Sequence, residues 1–85
     1  MYYPIAIEPG DDQHAYGVIV PDIPGCFSAG DTLDEALIQA EDAILLQLED
    51  YLDAGKPFPQ PSPVETLRHL PDYAGFIWSI AKVDK

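Results

Sequence analysis

Carboxylates are the commonest reactive groups in this chain, fifteen Asp and Glu in 85 residues. Acids in that number could do metal-assisted hydrolysis, in which two or more converge to hold Mg²⁺. Convergence needs acids on neighbouring strands, and the pattern supplies only Glu8 and Asp84 there, each near a strand end. His14 and His69 lack a partner at a ligand spacing such as His-x₃-His, so they read as surface or capping residues. Cys26 has no nearby His or cation in sequence to lower its pKa and reads as a small buried hydrophobe. A single cysteine also excludes an internal disulfide. Gly25 and Gly30 are five apart with no lysine following, so no phosphate-cradling loop is present. The residue types predict no enzyme, no metal and no cofactor.

What the acids do instead is set the charge. Against them stand 4 Lys+Arg, a formal net charge of −11. No Lys or Arg precedes Lys56, whereas twelve acids do. Such a chain repels phosphate backbones and anionic membrane surfaces, which excludes nucleic-acid binding by this segment alone. At 47% hydrophobic and 11% aromatic it is too apolar for a disordered acidic tail. No run reaches the ~18–20 apolar residues of a membrane span, and Met-Tyr-Tyr-Pro is no signal-peptide start. The bounds predict one soluble, cytoplasmic domain spanning residues 1–85, with a thin core that would gain from a partner.

The elements that position these residues follow from periodicity. Tyr3, Ile5 and Ile7 alternate with Tyr2, Ala6 and Glu8, predicting a strand. Pro4 makes it an edge strand or one paired on a single side near its start. Pro9-Gly10-Asp11-Asp12 is turn chemistry, and strands are predicted at Ala15–Val20 and, after Pro21-Asp22-Ile23-Pro24-Gly25, at Cys26–Ala29. Thr32 and Glu35 have capping-box spacing for a helix running to about Ala54, stopped by Gly55. Leu33, Ala36, Leu37, Ala40, Ile44, Leu48 and Tyr51 form its core face. Residues 56–63 read as a proline-rich extended connector, and Ser62-Pro63-Val64-Glu65 as the start of a two-turn helix. Phe76–Val83 is the last strand, with Phe76, Trp78 and Ile80 on one side. The order β-β-β-α-(short α)-β is α+β, an antiparallel three- to four-stranded sheet with one long helix on one face. The other sheet face keeps large side chains in every register, with no second long helix to cover them.

Seven acids lie on the long helix: Asp34, Glu35, Glu41, Asp42, Glu49, Asp50 and Asp53. They fall on its solvent half, where close like charges cost ~0.2–0.5 kcal/mol per pair at helical spacing. A solvated face and a docking face for a basic partner both fit. Ile38, Leu45 and Leu52 repeat every seven residues among these acids. Three readings stand: the connector or short helix (57–70) folds back over the stripe, it is a self-association seam, or it is the apolar centre of an acid-rimmed interface.

Val18-Ile19-Val20-Pro21-Asp22-Ile23-Pro24-Gly25-Cys26, then Ser28-Ala29-Gly30-Asp31-Thr32, Glu35-Ala36 and Ala40 resemble the HicB family of antitoxins, over roughly residues 1–83. The Pro-Asp-x-Pro-Gly-Cys turn joined to Gly-Asp-Thr-x-x-Glu-Ala is far more specific than either piece. The resemblance implies a partial RNase H-like (or double-stranded-RNA-binding-like) sheet-and-helix domain without the nuclease carboxylates. It implies as partner HicA, a small basic toxin that cleaves mRNA using a histidine. Family members usually continue into a C-terminal DNA-binding module, which these residues do not contain. The motif itself reads as scaffold: Pro24-Gly25 turns, Cys26 packs, Asp31 and Thr32 shape the helix start and Glu35 closes the cap.

The predicted partner-contacting set rests on charge and wheel position. It comprises Glu8, Asp11, Asp12, Asp22, Glu41, Asp42 and Glu49, with Ile38 and Leu45 as apolar centre. The expected mechanism is occlusion of the toxin's RNA-binding surface by an acidic face. The rival is a self-assembling module in which the stripe or the uncovered sheet face makes only homo-oligomers; oligomerisation is expected in either case.

Overall fold

The computed structural model describes residues 1–83, so the expectation for Asp84 lies outside the described residues. Strands β1 (Tyr2–Glu8), β2 (Tyr16–Ile19) and β3 (Phe27–Gly30) precede α1 (Leu33–Asp53). The one-turn helix α2 (Val64–Leu67), a 3₁₀ turn at Pro71–Tyr73 and β4 (Ile77–Lys82) follow. The sheet is antiparallel throughout, in the order β3-β2-β1-β4, and α1 packs on one face. The predicted α+β arrangement is thus present with four strands.

Pro4 resolves in favour of single-sided pairing. β1 is an inner strand, but its ladder to β2 covers only Ala6–Glu8, while Pro4 pairs with Ile80 of β4 alone. A missing N–H at that point leaves the β2 ladder intact. Tyr3, Ile5, Ile7, Val18 and Ala81 meet Ala36, Ala40, Ile44 and Leu48 in the core. Burying each large aliphatic side chain there stabilises the fold by about 1.5–3 kcal/mol.

Strand β2 is shorter than predicted and β3 is shifted by one residue, because the turn between them claims Val20 and Cys26. Val20 N–H donates to Cys26 O, and Cys26 N–H to Ile23 O, so Cys26 closes the turn and β3 starts at Phe27. Gly25 sits there at φ +76°, a left-handed conformation open to glycine at little cost. At the other end Gly30 pairs with Tyr16 and passes directly under α1: a Cβ on it would lie 2.5 Å from Ala36 N. The same crossing is fastened by Ser28 Oγ, which donates to Ala36 O at 3.2 Å.

The helix ends are where the local signals put them. Thr32 Oγ1 accepts from Glu35 N–H at 3.1 Å. At the C-terminus Lys56 N–H reaches Tyr51 O and Gly55 N–H reaches Leu52 O, with Gly55 at φ +67°, a Schellman closure. Leu33, predicted on the core face, is exposed, since α1 begins beyond the edge of β3.

The short helix departs from expectation. Ser62 does not cap it; Pro63 occupies that position without a side-chain bond, and α2 makes one turn rather than two. Both polar groups of Ser62 are used elsewhere, on Asp22. The connector before it is tied down again by Tyr3 Oη, which donates to Pro59 O at 2.6 Å, and by Phe58, packed against the core.

Candidate partner-binding surface

The outer face of α1 is built by a 21-residue helix, about 31 Å long, whose seven acids are all exposed. Glu41, Asp42 and Glu49 lie along its middle, and no Lys or Arg occurs on the helix. Among them Ile38 is 60% exposed. Leu52, at 57%, is also open, so the connector does not fold back over the stripe.

Leu45 is placed differently from Ile38. It is half-buried and packed against the core. The buried residues Ala36, Ala40, Ile44 and Leu48 step by four, and each step adds ~40° of rotation. The core line therefore drifts around the helix, following the twist of the sheet, and reaches the Leu45 side by the third turn. Sequence reasoning used one fixed face and missed this. It also missed Leu46, 65% exposed beside the acids, which belongs to neither the core line nor the seven-residue repeat.

The β1–β2 loop adds a second acidic group. Asp11 accepts from Gln13 N–H and from His14 Nδ1, each at 2.8 Å. The backbone donor, then the imidazole, hold its carboxyl below the usual carboxylate range. Asp11 and Asp12 share an open depression of about 310 Å³ with Asp31, at the start of α1. Asp31 was read as scaffold, but the fold brings it to these acids and so links the loop to the helix face.

Two members of the predicted set stand apart. Asp22 lies in the β2–β3 turn, half-buried, with one oxygen accepting Ser62 N–H at 2.8 Å and the other Ser62 Oγ at 2.5 Å. Glu8 is on the sheet face turned away from α1, its side chain beside Gly17. The nine residues therefore form a helix-and-loop group and two separate positions.

Among the described residues no group of three or more His, Cys, Asp or Glu is arranged to hold a metal ion. Cys26 is buried, and desolvation pushes its thiol pKa up. No helix among them is long and apolar enough to cross a membrane. The exposed charge described above is concentrated on α1 and the β1–β2 loop.

Comparison with known proteins gives that arrangement a family. The family model for HicB-like antitoxins of bacterial toxin–antitoxin systems matches residues 3–85. The chain belongs to this family. An uncharacterised 14.9 kDa protein of Haemophilus phage HP1 is 45% identical over 84 residues, 99% of this chain. The chain spans only 62% of that relative's length. The N-terminal domain of the Burkholderia pseudomallei antitoxin HicB superposes with a TM-score of 0.84 at 38% identity, over the full length of both chains. A chain of a HicA3–HicB3 toxin–antitoxin complex gives 0.78 at 30% identity, again over the full length of both. The Pro-Asp-x-Pro-Gly-Cys and Gly-Asp-Thr segments lie within the matched residues. In this structure they are the β2–β3 turn and the β3–α1 junction.

Proposed function

We propose that this HicB-like domain binds and occludes a small basic, mRNA-cleaving toxin of the HicA kind, without chemistry of its own. The observation that carries the reading is the exposed acidic face of α1, a helix whose own sequence has no Lys or Arg, with the loop acids gathered beside Asp31 at its start. A basic toxin would relieve the like-charge repulsion along that face and be steered to it. The similar chain in a HicA3–HicB3 complex supports a partner of this class.

Glu41, Asp42, Glu49, Asp11 and Asp12 make the polar contacts in this reading, and Ile38 with the neighbouring Leu46 supplies apolar contact. Leu45 supports the face from beneath. Asp22 and Glu8 are left out, one held by Ser62 and the other facing away. The site of action is the cytoplasm, where mRNA is.

The test is to mix the protein with a small basic toxin of the HicA kind, measuring complex formation and RNA cleavage together. A tight complex that silences cleavage is expected. The double variant Glu41→Lys/Glu49→Lys should associate more slowly, with a weaker dependence on salt. An unchanged on-rate and salt slope would remove the helix face from the mechanism.

A further inference from the structure

The helix reading leaves Glu8 unused. Strand pairing sets Glu8, Gly17 and Ala29 side by side across β1, β2 and β3, in one row on the sheet face turned away from α1. Gly17 and Ala29 are the two smallest residue types, so this row forms a low floor. The next row on the same face carries Ile19 and Phe27, and Phe27 is 70% exposed. The β1–β2 loop, with Asp11, Gln13 and His14, stands on the other side. Between loop and sheet lies an open trough of about 580 Å³. β3 is the edge of the sheet, so the trough opens to solvent past Ala29 and is closed at its inner end by Glu8.

The Glu8 carboxylate leans into this space. Its Oε2 lies 3.7 Å from the place a Cβ on Gly17 would take, so the side chain reaches over β2. Among the described residues no ion pair or hydrogen bond holds it there. The lining contains Glu8 and Asp11 as acids and no Lys or Arg, and the one imidazole, His14, is bonded to Asp11 at 2.8 Å.

Charge and shape select the occupant. Two carboxylates repel anions, and an apolar floor leading to a carboxylate fits a long side chain with an aliphatic stem and a cationic head. Lysine meets the charge requirement, but a guanidinium donates twice to one carboxylate and stacks on an aromatic ring such as that of Phe27. The row spans two strand spacings, about 10 Å, which an arginine entering at the β3 edge and Glu8 leaning from the inner end close between them.

We infer that the trough receives an arginine side chain presented by a partner polypeptide, its stem over Ala29 and Gly17 and its guanidinium on Glu8. Ile19 and Phe27 offer apolar contact to the residues flanking that arginine, a contact free arginine cannot make. Asp11 lines this trough and also the depression it shares with Asp12 and Asp31, so the two sites adjoin. The inference needs a basic polypeptide only and does not rest on the toxin reading.

The experiment is an NMR titration of the ¹⁵N-labelled 85-residue protein at low salt. The probes are acetyl-Gly-Leu-Arg-Leu-Gly-amide, the same peptide with lysine in place of arginine, and N-acetylarginine amide. The arginine peptide should move the Gly17 and Ala29 amide signals and bind severalfold more tightly than either other probe. Glu8→Gln should weaken it severalfold. Gly17→Val should abolish it by filling the floor; a Cβ there makes only ordinary contacts and the backbone is not left-handed, so the fold is kept, as circular dichroism checks. Glu41→Lys/Glu49→Lys, which disables the helix face, should leave the Gly17 and Ala29 shifts in place. Shifts confined to α1 and the loop, equal binding of the lysine peptide, or undiminished binding by Gly17→Val overturns the proposal. Equal binding of N-acetylarginine amide overturns its assignment to a polypeptide.

Discussion

Asp22 and Ser62, forty positions apart, are bound twice: Ser62 N–H donates to one carboxylate oxygen at 2.8 Å and Ser62 Oγ to the other at 2.5 Å. This contact ties the proline-rich connector to the β2–β3 turn. Hydrogen bonds to a charged group contribute about 1.5–3 kcal/mol. Asp22→Ala should therefore destabilise the fold by about 2 kcal/mol and Ser62→Ala by less, since its N–H remains. A double-mutant cycle from urea denaturation should give a coupling of about 1 kcal/mol or more. Additive effects would show that the connector is held by other contacts.

Ser62 also marks where the sequence stopped being legible. Ser-Pro-Val-Glu carries a local helix-start signal, and a local signal cannot register a competing acceptor that the fold brings in from residue 22. The long helix was legible at both ends because Thr32, Glu35 and Gly55 act within one turn of themselves. The acidic half of α1, the surface proposed here for a partner, was legible as a set of acids on one side of the helix. It was not legible at Leu45, because the core line follows a sheet twist that no single wheel contains. Nor was Asp31 legible beside Asp11, a proximity set by β2–β3 register.

Tyr3 provides the connector's other tie, its hydroxyl donating to Pro59 O. Burial first, then the charges of Asp22 and Tyr51, push its pKa up from the ordinary value of 10.0. A raised folded pKa means that the folded state holds this proton more tightly than the unfolded state. The associated stability is complete below about pH 10 and is lost as pH rises through the folded pKa. Tyr3→Phe should cost about 0.5–1.5 kcal/mol at neutral pH and flatten the alkaline decline. Denaturant midpoints measured between neutral and strongly alkaline pH for both proteins test this; parallel curves would contradict it.

Asp11 organises the β1–β2 loop through Gln13 N–H and His14 Nδ1. Its folded pKa is depressed below 3.8, so its ordering of the loop is present above that pH and fades as pH falls through the lower folded value. Protection of the Gln13 amide, taken relative to its intrinsic exchange rate at each pH, should fall in acid, and Asp11→Asn should lack that protection already at neutral pH. Unchanged protection in the variant would mean that the Asp11–His14 backbone bonds alone hold the loop.

Gly30 and Gly25 lie in the same stretch of motif residues but should fail for different reasons. A Cβ at Gly30 meets the backbone of α1, with Ala36 N at 2.5 Å and Ala36 Cα at 2.9 Å, and backbone cannot step aside as a flexible side chain could. Gly30→Ala must therefore push α1 off β3, loosening the Ser28–Ala36 bond and the packing of Ala36 and Ala40 behind it. The cost should lie at or above the top of the ~1–3 kcal/mol typical of overpacking. Gly25→Ala meets nothing within 4 Å and is penalised only through its positive φ, by roughly 1–2 kcal/mol. Thermal or urea unfolding of the two variants should rank Gly30→Ala well below Gly25→Ala. Because α1 carries the acidic face, Gly30→Ala should also weaken toxin binding, whereas Gly25→Ala should leave it close to wild type. Equal losses of stability would mean that α1 can shift freely on the sheet, and the register of its acids would then not be fixed by this crossing.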